Sequence, residues 1–246
     1  MVKFIVLSTQ RSGSSYVCSL LDQHPAITCL EELFMPKNRN EITYRSYRSA
    51  SLRRRMRHLL RRRQSIGIYL SGIYGEHSGI GARGFKLMYG QARRYPEVVE
   101  WCNAADVRVV HLIRRNALKT VVSRQVALMR GVYLSTGPVQ PVSVTLDTRR
   151  LVPELERAGH LVEENRALFS SLPYVELSYE DFLVGQDEQV RRILSFLDCE
   201  ENVQLSSELV KTSPDSLDKL IDNYEDVCRS LAGTPFEEYL EREANA

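Results

Sequence analysis

The segment that most constrains the fold is residues 3–34, in which an apolar run, a small polar turn and an amphipathic stretch follow one another. The apolar run consists of Phe4, Ile5, Val6 and Leu7, as in a strand that is buried on both faces of a sheet. After the turn at residues 8–15, apolar side chains recur at helical spacing: Tyr16, Val17, Leu20 and Leu21. The segment therefore predicts a strand, then a loop of the kind that binds anions, and then a helix.

The polar turn carries the residue types that hold a tetrahedral anion. Backbone N–H groups at the start of a helix have no intrahelical partner, and the helix dipole adds partial positive charge there. Gly13 lets the backbone approach an anion closely, Arg11 supplies a planar cationic fork, and Ser12, Ser14 and Ser15 offer hydroxyl donors. The turn thus predicts a site for a phosphate or a sulfate, although a simple helix cap is the alternative.

The rest of the chain alternates strand-like and helix-like patterns. After the first unit come a strand at residues 84–89, a helix at 91–103, a strand at 107–113, a helix at 117–129, a long helix at 148–172, a strand at 174–179, a helix at 188–197 and a helical region at 216–240. This alternation predicts an α/β fold with a doubly wound parallel sheet and flanking helices. At 246 residues, we expect one domain that spans residues 1–246.

The composition of the chain bears on its compartment. No basic leader precedes the first strand, and nowhere do about 18 apolar residues run together. The five cysteines include no CxxC pair, which favours reduced thiols over disulfides or a metal site. We therefore expect a cytoplasmic protein without a transmembrane segment.

A second strand, polar turn and helix repeat the arrangement of the first. The apolar run at residues 107–113 is followed by Arg114, Arg115 and Asn116, and the helix pattern begins directly after them. In an open parallel sheet, both turns emerge at the edge where ligands bind. We therefore expect the second turn to take part in the same site.

A basic segment lies between the first two strands of this pattern. Residues 45–63 contain nine arginines, and Leu52, Met56, Leu59 and Leu60 recur among them at helical spacing. The pattern predicts a basic amphipathic helix. It could be a solvated face, a patch for nucleic acid or membrane, or a collar that steers an acidic acceptor or a highly charged cofactor.

The phosphate loop of nucleotide kinases, GxxxxGK[ST], is a natural comparison for the first turn, but it does not fit. Ser8 stands where its first glycine should be, and Ser14 stands where its lysine should be. Arg114 and Arg115 follow an apolar strand where a kinase supplies an acid for magnesium. These differences indicate an anion that is handled without a metal.

At these residues the chain resembles the sulfotransferases that use 3′-phosphoadenosine 5′-phosphosulfate (PAPS). Residues 10–15 (QRSGSS) are similar to their 5′-phosphosulfate loop, and residues 115–123 (RNALKTVVS) are similar to their 3′-phosphate segment. The resemblance implies that Arg115 and Ser123 hold the 3′-phosphate. The C-terminal Arg-Lys-Gly segment of the animal cytosolic members is missing, which leaves Arg124 or Lys211 as candidate replacements.

The resemblance also implies a general base. Glu32, followed by Leu33 and Phe34, is similar to the carboxylate proposed as base in bacterial and glycan sulfotransferases, whereas the animal enzymes use a histidine. Glu31 stays open as the alternative. Lys86, within residues 84–89, and the segment at residues 179–182 also resemble stretches of the bacterial branch, and we expect Lys86 to bind substrate.

The resemblance as a whole implies an enzyme that moves a sulfuryl group from PAPS to an acceptor hydroxyl or amine. Arg11 stands where many members carry lysine, so it can stabilise charge but is a poor proton donor. We expect a glycan or another hydroxylated metabolite as acceptor, chosen by residues 37–78 and 131–148, with no metal and no nucleic acid. A metal-independent P-loop phosphotransferase and a non-catalytic polyanion-binding module are the alternatives.

Overall fold

A computed structural model describes residues 1–35, 41–75, 78–131, 142–201, 203, 205 and 216–240. The predicted α/β fold is confirmed. Five strands form one parallel sheet in the order β2-β3-β1-β4-β5: β1 Val2–Ser8, β2 Ile27–Leu30, β3 Ala82–Met88, β4 Arg108–Ile113 and β5 Tyr174–Ser178.

The chain divides into two compact units. The first comprises Met1–Ile113 and Asn165–Ser206 and contains the whole sheet, and the second comprises Arg114–Glu164 and Ser207–Ala246. The helices of the first unit are α1 Ser14–Leu21, α2 Tyr44–Ser49, α3 Leu52–Leu60, α4 Arg62–Ile73, α5 Tyr89–Arg94, α6 Pro96–Ala104, α9 Tyr179–Val184 and α10 Gln186–Phe196. The second unit contains α7 Ala117–Arg130, most of α8 Thr148–Leu168, α11 Leu217–Leu220, α12 Tyr224–Leu231 and a 3-10 helix, Glu237–Leu240.

The core of the first unit explains why β1 and β4 read as continuous apolar runs. Phe4 and Val6 of β1 and Val110 and Leu112 of β4 are fully buried in one cluster, into which α1 and α10 also pack. Ile5 and Val109, which point the opposite way along their strands, are fully buried as well. Both faces of the central strands are therefore covered, as in other parallel sheets.

The second unit has its own apolar cluster. It is built from side chains of α7, α8, α11 and α12, with Val144 and Leu146 from the segment before α8. Val144 also forms an isolated parallel bridge with Ile221, through the Val144 N–H to the Leu220 carbonyl at 2.8 Å. Residues 132–141, which include most of the predicted loop at 131–148, lie outside the described residues.

Four sequence predictions about the elements need correction. Residues 27–30 form a strand, so the strand predicted at 84–89 is the third and not the second. The helix predicted at 91–103 is two helices, because Pro96 begins the second of them and lacks the N–H that would continue the first. The basic segment at 45–63 forms three helices, separated at Ala50–Ser51 and at Arg61, and the helix predicted at 148–172 ends at Leu168.

Within the described part of the chain, no helix is both long and apolar enough to cross a membrane. The prediction of one domain over residues 1–246 stays a prediction.

Candidate active site

The carboxyl ends of three parallel strands lie side by side in the first unit. Ser8, the last residue of β1, pairs with Met88 at the end of β3 and with Leu112 near the end of β4. Ligands of open parallel sheets bind at this edge, beside the strands at which the strand order reverses. The edge therefore brings the polar turn after β1 next to the last residues of β3.

The turn after β1 contains two residues in the left-handed backbone region. Arg11 and Gly13 both have positive φ angles, of 64° and 87°, and Gly13 is the N-cap residue of α1. No side chain caps this helix start, and the hydroxyl of the buried Ser12 donates instead to the Thr9 carbonyl at 2.8 Å. The simple-cap alternative does not describe this turn, and Ser12 can offer an anion its backbone N–H more readily than its hydroxyl.

Gly13 is needed here for a second reason. A Cβ atom added to Gly13 would lie 2.2 Å from Cδ2 of the Tyr179 ring, far inside van der Waals contact. Tyr179 is the first residue of α9 and directly follows β5. The aromatic ring thus packs against the backbone of the loop at the one residue that has no side chain.

Lys86 connects the loop to the two acids after β2. Only 4% of its side chain is exposed, and its Nζ donates to the Ser15 hydroxyl at 2.8 Å. The same Nζ ion-pairs with Glu31 and lies 3.6 Å from Oε1 of Glu32. Lys86 pairs with Val6 along the sheet, so its side chain rises on the face that α1 covers. The structure therefore brings together four predicted site residues: Ser15, Glu31, Glu32 and Lys86.

The charge of Lys86 is maintained in spite of its burial. Burial by itself lowers the pKa of an ammonium group, but the neighbouring carboxylates of Glu31 and Glu32 outweigh it, and the pKa of Lys86 is raised. A buried lysine of this kind stays cationic throughout the physiological pH range. The site consequently keeps a fixed positive charge next to the loop.

Glu32 is oriented by Gln91, a residue that the sequence analysis did not single out. The Gln91 side-chain oxygen accepts from the Met88 N–H at 3.2 Å, so its amide nitrogen faces Glu32 and donates to Oε2 at 2.7 Å. The backbone bond sets which end of the amide points to the acid. No short motif predicts such a contact, because 59 residues separate the two partners.

The residues after Glu32 anchor it to the core. Leu33 and Phe34 are 1% and 2% exposed, and the Phe34 ring contacts Tyr44, Tyr69, Phe85 and Tyr95 at centroid distances of 5.1–6.0 Å. The side chain of Glu31 is 50% exposed, whereas that of Glu32 is 18% exposed. Of the two acids, Glu32 is the one whose position is determined by packing and by a hydrogen bond.

The second turn and its helix belong to the second unit. Asn116 caps α7 by accepting from the Lys119 N–H at 3.0 Å, and Arg115, which precedes it, is exposed. Ser123 lies two turns along α7 and is buried. Arg124 ion-pairs with Glu154, and Lys211 lies outside the described residues. The role of Arg115 and Ser123 in holding a 3′-phosphate stays a prediction.

Among the described residues, no cluster of three or more His, Cys, Asp or Glu side chains could hold a metal ion.

Comparison with known proteins adds a structural likeness. No protein-family model matches the chain, and no curated protein sequence matches it. The crystal structure of a sulfotransferase from Alicyclobacillus acidocaldarius superimposes with a TM-score of 0.52 and 14% sequence identity, over 99% of this chain and 97% of that one. The chain therefore has the mixed α/β fold of that sulfotransferase.

Proposed function

We propose that the protein is a sulfotransferase that moves a sulfuryl group from PAPS to an acceptor hydroxyl or amine. The observation that carries the proposal is the contact of one buried cation, Lys86, with both the loop residue Ser15 and the acids Glu31 and Glu32. An anion-binding loop, a fixed positive charge and a carboxylate thus meet at the sheet edge where ligands bind. The likeness to a sulfotransferase structure supports the same conclusion.

The loop suits the 5′-phosphosulfate of PAPS. Positive φ angles at Arg11 and Gly13 belong to the backbone conformations that turn successive N–H groups toward an anion. The start of α1 has no side-chain cap, so backbone donors of Ser14 and Ser15 are available to oxygen atoms of a bound anion. Bound PAPS supplies the activated sulfuryl group. Arg11, the loop N–H groups and Lys86 stabilise the negative charge that develops on its oxygen atoms.

Glu32 acts as the general base in this proposal. Its carboxylate would accept the proton from the acceptor hydroxyl or amine as the acceptor attacks sulfur in line, while the bond between sulfur and the 5′-phosphate oxygen breaks and adenosine 3′,5′-bisphosphate leaves. The Gln91 amide donates a hydrogen bond to Oε2 of Glu32, so Oε1 of Glu32 is the oxygen that accepts the proton. Arg115 and Ser123 hold the 3′-phosphate and distinguish PAPS from nucleotides that lack it. No step calls for a metal.

We propose that the acceptor is a carbohydrate or another hydroxylated metabolite and that the reaction takes place in the cytoplasm. Within the acceptor segment at residues 37–78, a cavity of about 570 Å³ is lined by residues that include Tyr47, Arg54 and Tyr69. This volume lies in the range of small-molecule sites. The Tyr69 ring meets the Phe34 ring edge-on, which connects the cavity to the residue two positions after Glu32.

Replacing the base tests the mechanism directly. Glu32→Gln keeps the size and one hydrogen-bonding oxygen of the side chain but cannot accept the proton, so we expect transfer to fall by roughly 10² to 10⁴-fold. The affinity for adenosine 3′,5′-bisphosphate, the product nucleotide, should stay nearly unchanged in calorimetry. Glu31→Gln is the matched control, because it removes the neighbouring carboxylate that also pairs with Lys86. A Glu32→Gln enzyme with full activity would move the base to Glu31.

Nucleotide preference separates the proposal from the two alternatives. A sulfotransferase should bind adenosine 3′,5′-bisphosphate more tightly than adenosine 5′-diphosphate. A metal-independent phosphotransferase would bind ATP with no preference for a 3′-phosphate. Salt-sensitive binding of heparin without turnover of PAPS would instead favour a non-catalytic polyanion-binding module.

A further inference from the structure

Helix α3, Leu52–Leu60, has its apolar side chains on the side that faces away from the protein. At 100° per residue, Leu52, Met56, Leu59 and Leu60 fall in one sector about 100° wide. These four side chains are 74%, 45%, 68% and 75% exposed. Isolated exposed leucines are common, but four on one helix face form a continuous apolar surface.

The opposite side of α3 holds the helix against the protein through polar contacts. His58 Nδ1 lies 2.9 Å from the Tyr44 hydroxyl, and its Nε2 lies 2.8 Å from Arg48. The Arg54 guanidinium stacks 4.4 Å above the Tyr47 ring. A surface helix usually turns its apolar stripe inward, so the orientation of α3 is the reverse of the usual one. This orientation leaves the apolar side of α3 available to a binding partner outside the protein.

Arginines border the apolar sector on both sides. Arg53 and Arg55 flank it, both are exposed, and no carboxylate among the described residues lies within ion-pair distance of either. Arg62 and Arg63 of α4, in contrast, are both ion-paired with acids of α6. The charges of Arg53 and Arg55 are therefore available to an external anion, whereas those of Arg62 and Arg63 are already balanced.

We propose that α3 is a membrane-surface anchor that lies on anionic lipid. Its leucines would enter the boundary between headgroups and acyl chains, while the arginine stems extend to place their guanidinium groups at the anionic headgroups. Pairing with a second copy would bring the two arginine borders together, and like charges repel. A nucleic acid would engage the arginines but leave the leucines in water. The proposal is independent of the sulfuryl-transfer chemistry.

Co-sedimentation with vesicles tests the anchor. The wild-type protein should bind phosphatidylcholine vesicles that contain about one-third phosphatidylserine and should bind pure phosphatidylcholine vesicles much more weakly. Leu59→Ser/Leu60→Ser should lower the partition coefficient by about tenfold or more, since it removes two of the leucine side chains that would enter the lipid. The matched control is Leu183→Ser/Val184→Ser on α9, an adjacent pair that is 55% and 93% exposed. It should bind as the wild type does.

A second arm tests the charge. Arg53→Gln/Arg55→Gln should weaken binding to the anionic vesicles by roughly tenfold or more, whereas the exposed pair Arg149→Gln/Arg150→Gln on α8 should have little effect. Circular dichroism and thermal unfolding should match the wild type for every variant, because all the altered side chains are exposed.

Three results would overturn the proposal. The first is an absence of wild-type binding to anionic vesicles, and the second is unchanged binding by the Leu59→Ser/Leu60→Ser variant. The third is a dimer, seen by size-exclusion chromatography, that the same variant abolishes, because the apolar face would then belong to a second copy of the chain.

Discussion

The turn after β1 and the turn after β4 each connect a strand to a helix, but the two helices begin differently. In the first, a glycine with positive φ begins α1 and no side chain caps it. In the second, the Asn116 side chain caps α7. An anion can therefore take the place of a cap at the first turn through backbone N–H groups. At the second turn the cap is already present, so any affinity for an anion would have to come from side chains such as Arg115.

The largest effect in this comparison should come from Gly13→Ala. The new methyl group meets the Tyr179 ring, and the positive φ adds backbone strain, so we expect a loss of about 3 to 5 kcal/mol in the free energy of unfolding. Binding of adenosine 3′,5′-bisphosphate should be lost with it. Urea unfolding and calorimetry measure the two effects.

The matched control is Gly131→Ala at the end of α7. Gly131 also has a positive φ, of 67°, but no atom of the described residues lies within 4 Å of the position that its Cβ would occupy. Only the backbone strain remains, at about 1 kcal/mol. Equal losses for the two variants would show that the Tyr179 ring does not constrain the first loop.

The two strands also place different residues at a buried paired position, where Leu7 of β1 pairs with His111 of β4. His111 is fully buried between the hydroxyls of Tyr89 and Tyr174, with Glu176 3.3 Å away, itself ion-paired to Arg166. Burial, opposed by Glu176 and reinforced by Arg166, lowers the pKa of His111 to about 4.

The lowered pKa predicts a loss of stability in acid. As the pH is lowered, this histidine takes up a proton near pH 6.5 in the unfolded chain, but only near pH 4 in the folded protein. Stability is therefore fully present above about pH 6.5 and falls by about 3 kcal/mol as the pH decreases to about 4. Urea unfolding at several pH values should show a smaller acid loss for His111→Gln than for the wild type. His160→Gln, an exposed control, should keep the wild-type slope.

A smaller effect is expected for Arg115→Ala, which tests whether the second turn works through side chains. Loss of a charged hydrogen bond should weaken the binding of adenosine 3′,5′-bisphosphate by roughly 10- to 100-fold. Binding of adenosine 5′-diphosphate should hardly change. An equal loss for both nucleotides, measured by calorimetry, would contradict a role at the 3′-phosphate.

The smallest effect should come from Asn116→Ala. Removal of the cap of α7 should lower the free energy of unfolding by about 1 kcal/mol. Asn116→Asp retains an oxygen that can accept from the Lys119 N–H and adds a charge that the helix dipole favours, but it loses the amide that donates to the Tyr239 carbonyl at 2.9 Å, so it should recover only part of that loss. Thermal unfolding distinguishes the two variants. Full stability of the alanine variant would mean that the second helix start does not depend on its cap.

The sequence predicted the parts of this structure that depend on local patterns. The continuous apolar runs of β1 and β4 and the glycine turn between β1 and α1 are examples, because their cause lies within a few residues of chain. Strand β2 was missed, since its four residues are too short to show a period. The outward orientation of α3 could not be predicted either, because helical spacing defines an apolar side without saying which way it points.

The same distinction applies to the candidate site. Gly13, Arg11 and Glu32 stand in recognisable short motifs, and Lys86 lies within the segment at residues 84–89 that resembles the bacterial branch. The contacts of Gln91 with Glu32 and of Tyr179 with Gly13 join residues that are far apart in the chain. They depend on how the strands are ordered in the sheet, which no local pattern contains.

The aromatic cluster around Phe34 has a consequence for how such a protein can change. Tyr44 contacts Phe34 on one side and the His58 side chain of α3 on the other, so one ring touches both the anchor of Glu32 and the helix with the outward apolar face. A substitution that moves the Tyr44 ring changes its contacts with both Phe34 and His58. Substitutions on α3 that displace Tyr44 should therefore also disturb the packing that positions Glu32.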